Sequence, residues 1–254
     1  HKECILVIFV SMIYKVNILF LFLLFSPLLS FSQEEDSLEN QTTYHKELSA
    51  SLFLHTHGYG VNFRKAKHVS VNQKRVFEID WCSMNHPKNY VFSTSQISET
   101  KRYTYGELNS VSVIRVGYGN QKLLAGKTLR SNVEIRFLYL GGLSLAFLKP
   151  VYYELYMPGE ELVFAKYNNE TKNIIRGGAG YAMGFGESAA MPGIYGKSAV
   201  SFEYASKYNY IRALETGFVL DIYYKDVPIL AETKNYPYFI SFYVGLTYGK
   251  KWYR

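Results

Sequence analysis

The stretch "YFISFYVGLTYGKKW" (Tyr238–Trp252) decides how the rest of the chain is read. Every second residue from Tyr238 gives Tyr238, Ile240, Phe242, Val244, Leu246 and Tyr248, an apolar row with a tyrosine at each end. The residues between them are Phe239, Ser241, Tyr243, Gly245, Thr247 and Gly249, which are mostly small or polar. A period of two places successive side chains on opposite faces of a β-strand. The open point is which of the two faces meets a protein core.

The same alternation recurs upstream. In "ELSASLFLHTH", Leu48, Ala50, Leu52 and Leu54 oppose Ser49, Ser51, Phe53, His55 and His57. In "YGVNFRKA", Tyr59, Val61 and Phe63 oppose Gly60, Asn62 and Arg64, and in "VFEIDWC", Phe77, Ile79 and Trp81 oppose Glu78, Asp80 and Cys82. "ELNSVSVIRVGY" is less regular: Ile114, Val116 and Tyr118 oppose Glu107 and Arg115, but Ser110 and Ser112 fall on the apolar side and Val111 and Val113 on the polar one. "VEIRFLYLGGLSLAF" sets Val133, Ile135, Phe137, Tyr139, Leu143, Leu145 and Phe147 against Glu134, Arg136 and Ser144. "KSAVSFEY" sets Val200, Phe202 and Tyr204 against Lys197, Ser201 and Glu203, and "LETGFVLDIYY" sets Leu214, Phe218, Leu220 and Ile222 against Glu215 and Asp221. No segment follows a helical period, so the chain is read as all-β and antiparallel.

A soluble sandwich buries its apolar face, whereas a membrane barrel turns that face to lipid and its polar face to the lumen. The polar rows collect Glu78, Asp80, Glu107, Glu134, Glu203, Glu215 and Asp221 with Arg64, Arg115, Arg136 and Lys197, a set that can pair inside a narrow barrel. Tyrosines at the row ends match interfacial girdles. Connections near 68–73 and 206–209 are short, and those at 84–103, 150–195 and 225–236 are long; the 119–130 turn is longish and the hairpin at His57–Gly58 is tight. The expectation is a transmembrane antiparallel up-and-down β-barrel over 47–254 with eight strands, or ten if the long external loop 150–195 holds a further hairpin. Thr94 and Tyr167 are then external, and Val71 and Lys207 periplasmic.

The 254-residue chain carries 28 basic and 21 acidic residues, 24 tyrosines, 2 tryptophans and 2 cysteines. Its pI near 9.1 comes without a basic stripe or a nucleic-acid motif, so nucleic acid is excluded as a partner. From Met12, a start with residues 1–11 as an upstream extension, Lys15 precedes the apolar run "VNILFLFLLFSPLLSFS" and the small-x-small site Ser30–Phe31–Ser32. Residues 1–32 therefore read as a cleaved signal peptide and 33–46 as a polar segment. Cleavage removes Cys4 and leaves Cys82 alone, so no internal disulfide is expected.

The final strand ends in Trp252 and Tyr253, the aromatic signature through which a barrel-assembly machinery engages its clients, although Arg254 is terminal. The "SFSQ" and "YGKKW" segments resemble small outer-membrane barrels of Bacteroidetes type. The strings "MNHPK" (Met84–Lys88), "LKPVYYE" (Leu148–Glu154), "MPGIYGKS" (Met191–Ser198) and "YIRALETG" (Tyr210–Gly217) resemble an uncharacterised exported outer-membrane β-barrel family of that group. The resemblance covers most of the mature chain, implies a Gram-negative cell outer membrane, and brings no activity with it.

Chemistry is sparse. His55 and His57 share a strand face, but spacing supplies no third metal ligand. Ser51 shares that face too, yet a lipid-cleaving triad has to face lipid and this face points inward. "RGGAGYAMGFGES" (Arg176–Ser188) matches neither a phosphate loop nor a dinucleotide fingerprint and reads as an external or plug-like loop. His86 and Lys88 of "MNHPK" read as a turn. No catalytic, cofactor-binding or metal residue is assigned, and no cofactor. The expectation is a non-enzymatic outer-membrane barrel of structural, adhesion or assembly-partner type, in contact with outer-membrane lipid and meeting any protein partner at its external loops. The alternatives are a transporter of a small solute or apolar molecule and a membrane-embedded lipid-modifying enzyme. A periplasmic lipocalin-like barrel would need an apolar interior.

Overall fold

The computed structural model of the protein describes residues 46–86, 88, 91–94, 101–126, 133–155, 163–168, 171, 174–204 and 210–252. The proposed signal peptide, the polar segment up to residue 45, Lys207, Tyr253 and Arg254 lie outside the described residues. In chain order the strands are β1 (Lys46–His55), β2 (Gly58–His68), β3 (Gln73–Met84), β4 (Val91–Thr94), β5 (Lys101–Thr104), β6 (Asn109–Ala125) and β7 (Val133–Pro150). They continue with β8 (Tyr152–Leu155), β9 (Val163–Lys166), β10 (Ile175–Gly178), β11 (Ala189–Tyr204), β12 (Tyr210–Tyr223) and β13 (Tyr238–Trp252).

Eight of these close a barrel in the order β1-β13-β12-β11-β7-β6-β3-β2, every neighbour antiparallel. The barrel is closed by β1 on β13, from Lys46 opposite Trp252 to His55 opposite Tyr243. Closure leaves no unpaired strand edge, the condition for crossing a hydrocarbon layer with strands.

The faces answer the question set by Tyr238–Trp252. Along β13, Tyr238, Ile240, Phe242, Val244, Leu246 and Tyr248 are exposed, and Phe239, Ser241, Tyr243 and Thr247 are buried. Leu52 and Leu246, directly opposite each other, are each 69% exposed, whereas Glu78 and Asp221 are 0% exposed. A contiguous apolar belt of this kind around a charged interior is stable only against lipid. From Tyr238 to Tyr248 the strand runs about 33 Å, which at barrel tilt gives a belt about 25 Å tall. The chain is a transmembrane antiparallel β-barrel of eight strands.

Both described ends, Lys46 and Trp252, lie at one end of the barrel, with the short 69–72 turn. The opposite end carries the 56–57 turn and the connections 85–108, 151–188 and 224–237; it is called the loop end below. At the tight His55–Gly58 hairpin Gly58 takes φ 153°, and a Cβ there would lie 2.4 Å from the Ser83 carbonyl oxygen of β3, so only glycine fits this close approach.

Two boundaries differ from the sequence reading. β6 continues past Tyr118 to Ala125, so most of the longish 119–130 connection is strand. β11 begins at Ala189, so the long loop is 151–188 rather than 150–195. Pro192 lies inside β11 opposite Leu145, facing outward, where its missing N–H removes a single ladder bond. That loop does hold strands, but β8, β9 and β10 form a separate sheet and add nothing to the barrel wall.

Candidate functional site

The interior is filled in three layers. In the middle, Arg64 on β2 donates to Glu78 on β3 (Nε to Oε2, 2.7 Å) and reaches across the lumen to Glu215 on β12 with both terminal nitrogens, at 2.6 and 2.9 Å. Lys197 on β11 donates to Glu78 on the opposite wall at 2.6 Å and lies 3.6 Å from Asp80. Tyr243 donates its hydroxyl to Glu215 at 2.7 Å, and Asn62 donates to Asp80. Toward the loop end, Arg115 on β6 grips Asp221 on β12 through two bonds of 2.8 Å. Arg64–Glu215, Lys197–Glu78 and Arg115–Asp221 each join strands that are not neighbours, so they brace opposite walls. Charges buried this far from water persist only when paired and hydrogen-bonded.

At the terminus end, Glu47 accepts from Lys74 at 2.8 and 2.9 Å, His68 Nε2 lies 2.9 Å away, and Lys251 bridges to Glu203 at 2.5 Å. Arg136 pairs with Glu134 on its own strand. Glu47, Lys74 and Lys251 are absent from the sequence-derived inner rows. Glu47 and Lys251 lie within the quoted stretches but one step past the rows as read, which run from Ser49 and stop at Gly249, and Lys74 lies one step before the segment that begins at Val76. Lys74 continues the row Val76, Glu78, Asp80, and that continuation is the signal that finds it. Their addition supplies bases from the strands themselves to balance the carboxylates. Glu107 is the opposite case. It is bridged to Leu230 at the loop end and takes no part in the lumen network.

The layer nearest the loop end is apolar. Met84, Val111, Val113, Ala146 and Leu148 meet Val227 and Ile229, which the 224–237 connection folds inward. This explains the irregular β6: Val111 and Val113 face inward because the lumen there is greasy. Asn235 holds that connection, accepting from the Ile229 and Leu230 amides at 3.0 and 3.3 Å and donating to the Leu230 carbonyl.

Above it the long loops form a cap. β8 pairs with β9 and β10, β4 pairs with β5, and β5 lies against β10. Tyr153, Leu155 and Tyr167 are its core, packed by Tyr103, Tyr105, Leu108 and Ile174. The Tyr153 hydroxyl donates to the Thr104 and Glu107 carbonyls at 2.7 and 2.9 Å, tying the 85–108 and 151–188 connections together. Burial drives the Tyr153 phenol well above its usual range and raises the Glu107 carboxyl. At the cap's outer edge Lys166 and Tyr152 both donate to Glu187, at 2.5 and 2.7 Å, and these bonds hold that carboxyl below its usual value.

The residues singled out from sequence fall as follows. His55 and His57 stand 6.4 Å apart between ring centroids, but His57 Nδ1 is engaged with Ser241 Oγ at 2.9 Å. Among the described residues no group of three His, Cys, Asp or Glu is placed to hold a metal. Ser51 Oγ lies 2.8 Å from Thr247 Oγ1 and donates to Asn62, so its partners are not imidazoles. "RGGAGYAMGFGES" caps the loop end outside the lumen: Gly184 takes φ 88°, and a Cβ there would lie 2.5 Å from the Pro150 carbonyl. Tyr181, Met183 and Phe185 of that run are exposed, with Lys149 Nζ 3.8 Å from the Tyr181 ring centroid.

No family model matches the chain, and no curated protein matches it. Solved structures do match. Neisserial surface protein A is 10% identical with a TM-score of 0.41, over 84% of this chain and 100% of that one. The Yersinia pestis attachment invasion locus protein Ail, crystallised with the heparin analogue sucrose octasulfate, is 8% identical with a TM-score of 0.39, over 83% and 100%. A major outer membrane protein from Thermus thermophilus is 10% identical with a TM-score of 0.41, over 82% and 99%. The likeness is one of fold.

Proposed function

We propose that the protein is a non-enzymatic outer-membrane barrel whose filled lumen serves as a scaffold for the cap, and that the cap binds a protein partner in a structural, adhesion or assembly role. In this reading the loop end faces outward, and the exported family of Bacteroidetes type that the sequence resembles is its group. The observation that carries the reading is the cap's own core around Tyr153, with Tyr181 and Phe185 left exposed beside Lys149. Plain connectors need no core, and an ordered surface with exposed aromatics beside a cation is the composition of an interface anchor. The transport reading is disfavoured by the three bridges across the lumen. A photoreactive amino acid at Tyr181 or Phe185 in intact cells should give a discrete protein adduct, and one at Leu246 only lipid. Adducts equally diffuse at all three positions would remove the partner reading.

A further inference from the structure

At the rim of the loop end a cavity of about 330 Å³ opens between the β1–β2 turn, the residues after β3 and the 224–237 connection. Its chemistry is divided. His57, His86, Lys88 and Lys234 supply cationic or proton-donating groups, and among the described residues no acid lines it. His86 Nδ1 accepts the Lys88 amide at 3.1 Å, which leaves Nε2 as the N–H donor of the neutral ring. Thr233 contributes a hydroxyl shielded from solvent with no hydrogen-bond partner among the described residues.

The remaining wall is apolar and runs in two directions. Val227, Ile229 and Phe239 lead inward to the greasy layer of the lumen, whereas Tyr238 and Ile240 belong to the exposed row of β13 that faces lipid. Ile240 is 61% exposed. The cavity is therefore continuous with the hydrocarbon belt at its lower edge and ringed by basic groups at headgroup level. The volume falls near the low end of the roughly 300–1,000 Å³ of small-molecule sites, enough for a phosphate and the first part of a chain.

We propose that this cavity seats a phosphate-bearing lipid of the leaflet on the loop side, with its phosphate between Lys88, Lys234 and the two histidines and an acyl chain along Ile240 toward Phe239. The inference is separate from the partner reading, because it concerns the rim rather than the exposed aromatics of the cap. A soluble anion would satisfy the lysines but leave the apolar wall uncovered. A zwitterionic lipid would cover the wall but bring a choline cation to the lysines.

The test places a tryptophan reporter at the rim with Tyr236→Trp and uses vesicles of phosphatidylcholine doped with either brominated phosphatidate or brominated phosphatidylcholine. Trp252→Phe is present throughout, and a parent that keeps Tyr236, with the lipid-facing Trp81 alone, reports bulk lipid, so that the reporter is read as the difference between the two samples. Quenching of the reporter should favour phosphatidate well beyond that of Trp81. Lys88→Gln with Lys234→Gln should lower that preference about tenfold or more, since each lysine beside an anionic headgroup contributes on the order of 1 kcal/mol. Lys65→Gln with Lys67→Gln, at the other end of the barrel, should leave it unchanged. Both lysine pairs are exposed, and heat-dependent gel migration checks that each variant folds. Native mass spectrometry of the unlabelled protein from the same vesicles should show retained phosphatidate. Equal quenching by the two lipids, an unchanged preference in the Lys88/Lys234 variant, or displacement by inorganic phosphate at matched concentration would each overturn the proposal.

Discussion

The middle of the lumen and its loop end fill the same narrow tube by opposite means. In the middle, Arg64, Glu78, Lys197 and Glu215 bind strands on facing walls through charges that have no access to water. At the loop end, Met84, Val111 and Val113 meet Val227 and Ile229, which come from a connection and not from the wall. The first layer therefore fixes the barrel itself, and each of its members depends on the others. The second fixes how the connections sit on the barrel and depends on shape alone. An eight-stranded barrel has room only for its own side chains, and the two layers show that polar and apolar fillings serve equally while failing differently.

The largest effect is expected from breaking the first layer. Arg64→Ala strands Glu78 and Glu215 in the interior and should cost about 3–5 kcal/mol in urea unfolding from lipid vesicles. A loss below about 1 kcal/mol would mean that these carboxylates are solvated and the lumen is wet. In the second layer Ile229→Ala should cost about 2–4 kcal/mol through a cavity. Its damage should appear as faster proteolysis of the 224–237 connection while the barrel strands stay protected from exchange. Equal loss of protection throughout the wall would erase the distinction between the layers.

Converting one layer to the manner of the other sharpens the contrast. Arg115→Met together with Asp221→Leu removes both charges of a buried pair and should change stability by only about 1 kcal/mol, whereas Arg115→Ala alone should approach the Arg64→Ala penalty. A double variant as damaged as the single one would show that Arg115 chiefly supports Asp80, its neighbour in register across β3 and β6.

The smallest effect concerns the rim. Burial holds the His57 and His86 imidazoles below the ordinary 6.5. A folded-state value below the unfolded one means that the opened rim binds protons more readily, so its stability is fully present above pH 6.5, begins to decline below it, and is lost as pH falls through the lower folded-state values. Amide protection factors at Thr56 and His57, taken against the intrinsic exchange rate at each pH, should fall on acidification below pH 6.5, and those of the Arg64 layer should not respond. Protection factors that rise on acidification would mean that the rings gain a partner when charged.

The barrel was legible because its alternation is uninterrupted where lipid and charge face each other, as at Leu52 against Leu246 and Glu78 against Arg64. Legibility failed where that contrast disappears. Val111 and Val113 oppose the pattern because their neighbours are the inward-folded Val227 and Ile229, whose position no local period encodes. The start of β11 was hidden by "AAMPG", whose small residues and proline carry the signature of a loop although they pair with β7 from Ala189 onward. The cap was hidden as well: β8, β9 and β10 have only four residues each, too few to establish a period. The rim cavity joins three connections distant in sequence: His57 stands out there as half of a histidine pair and His86 and Lys88 as a turn, and no local period brings them together.

Single-channel recording tests the filled lumen most directly. Purified protein in a planar bilayer should show no steady ionic conductance, because Arg64–Glu215, Lys197–Glu78 and Arg115–Asp221 cross the tube beneath an apolar layer. A reproducible conductance step from the unaltered protein would contradict a closed lumen and restore transport as its role.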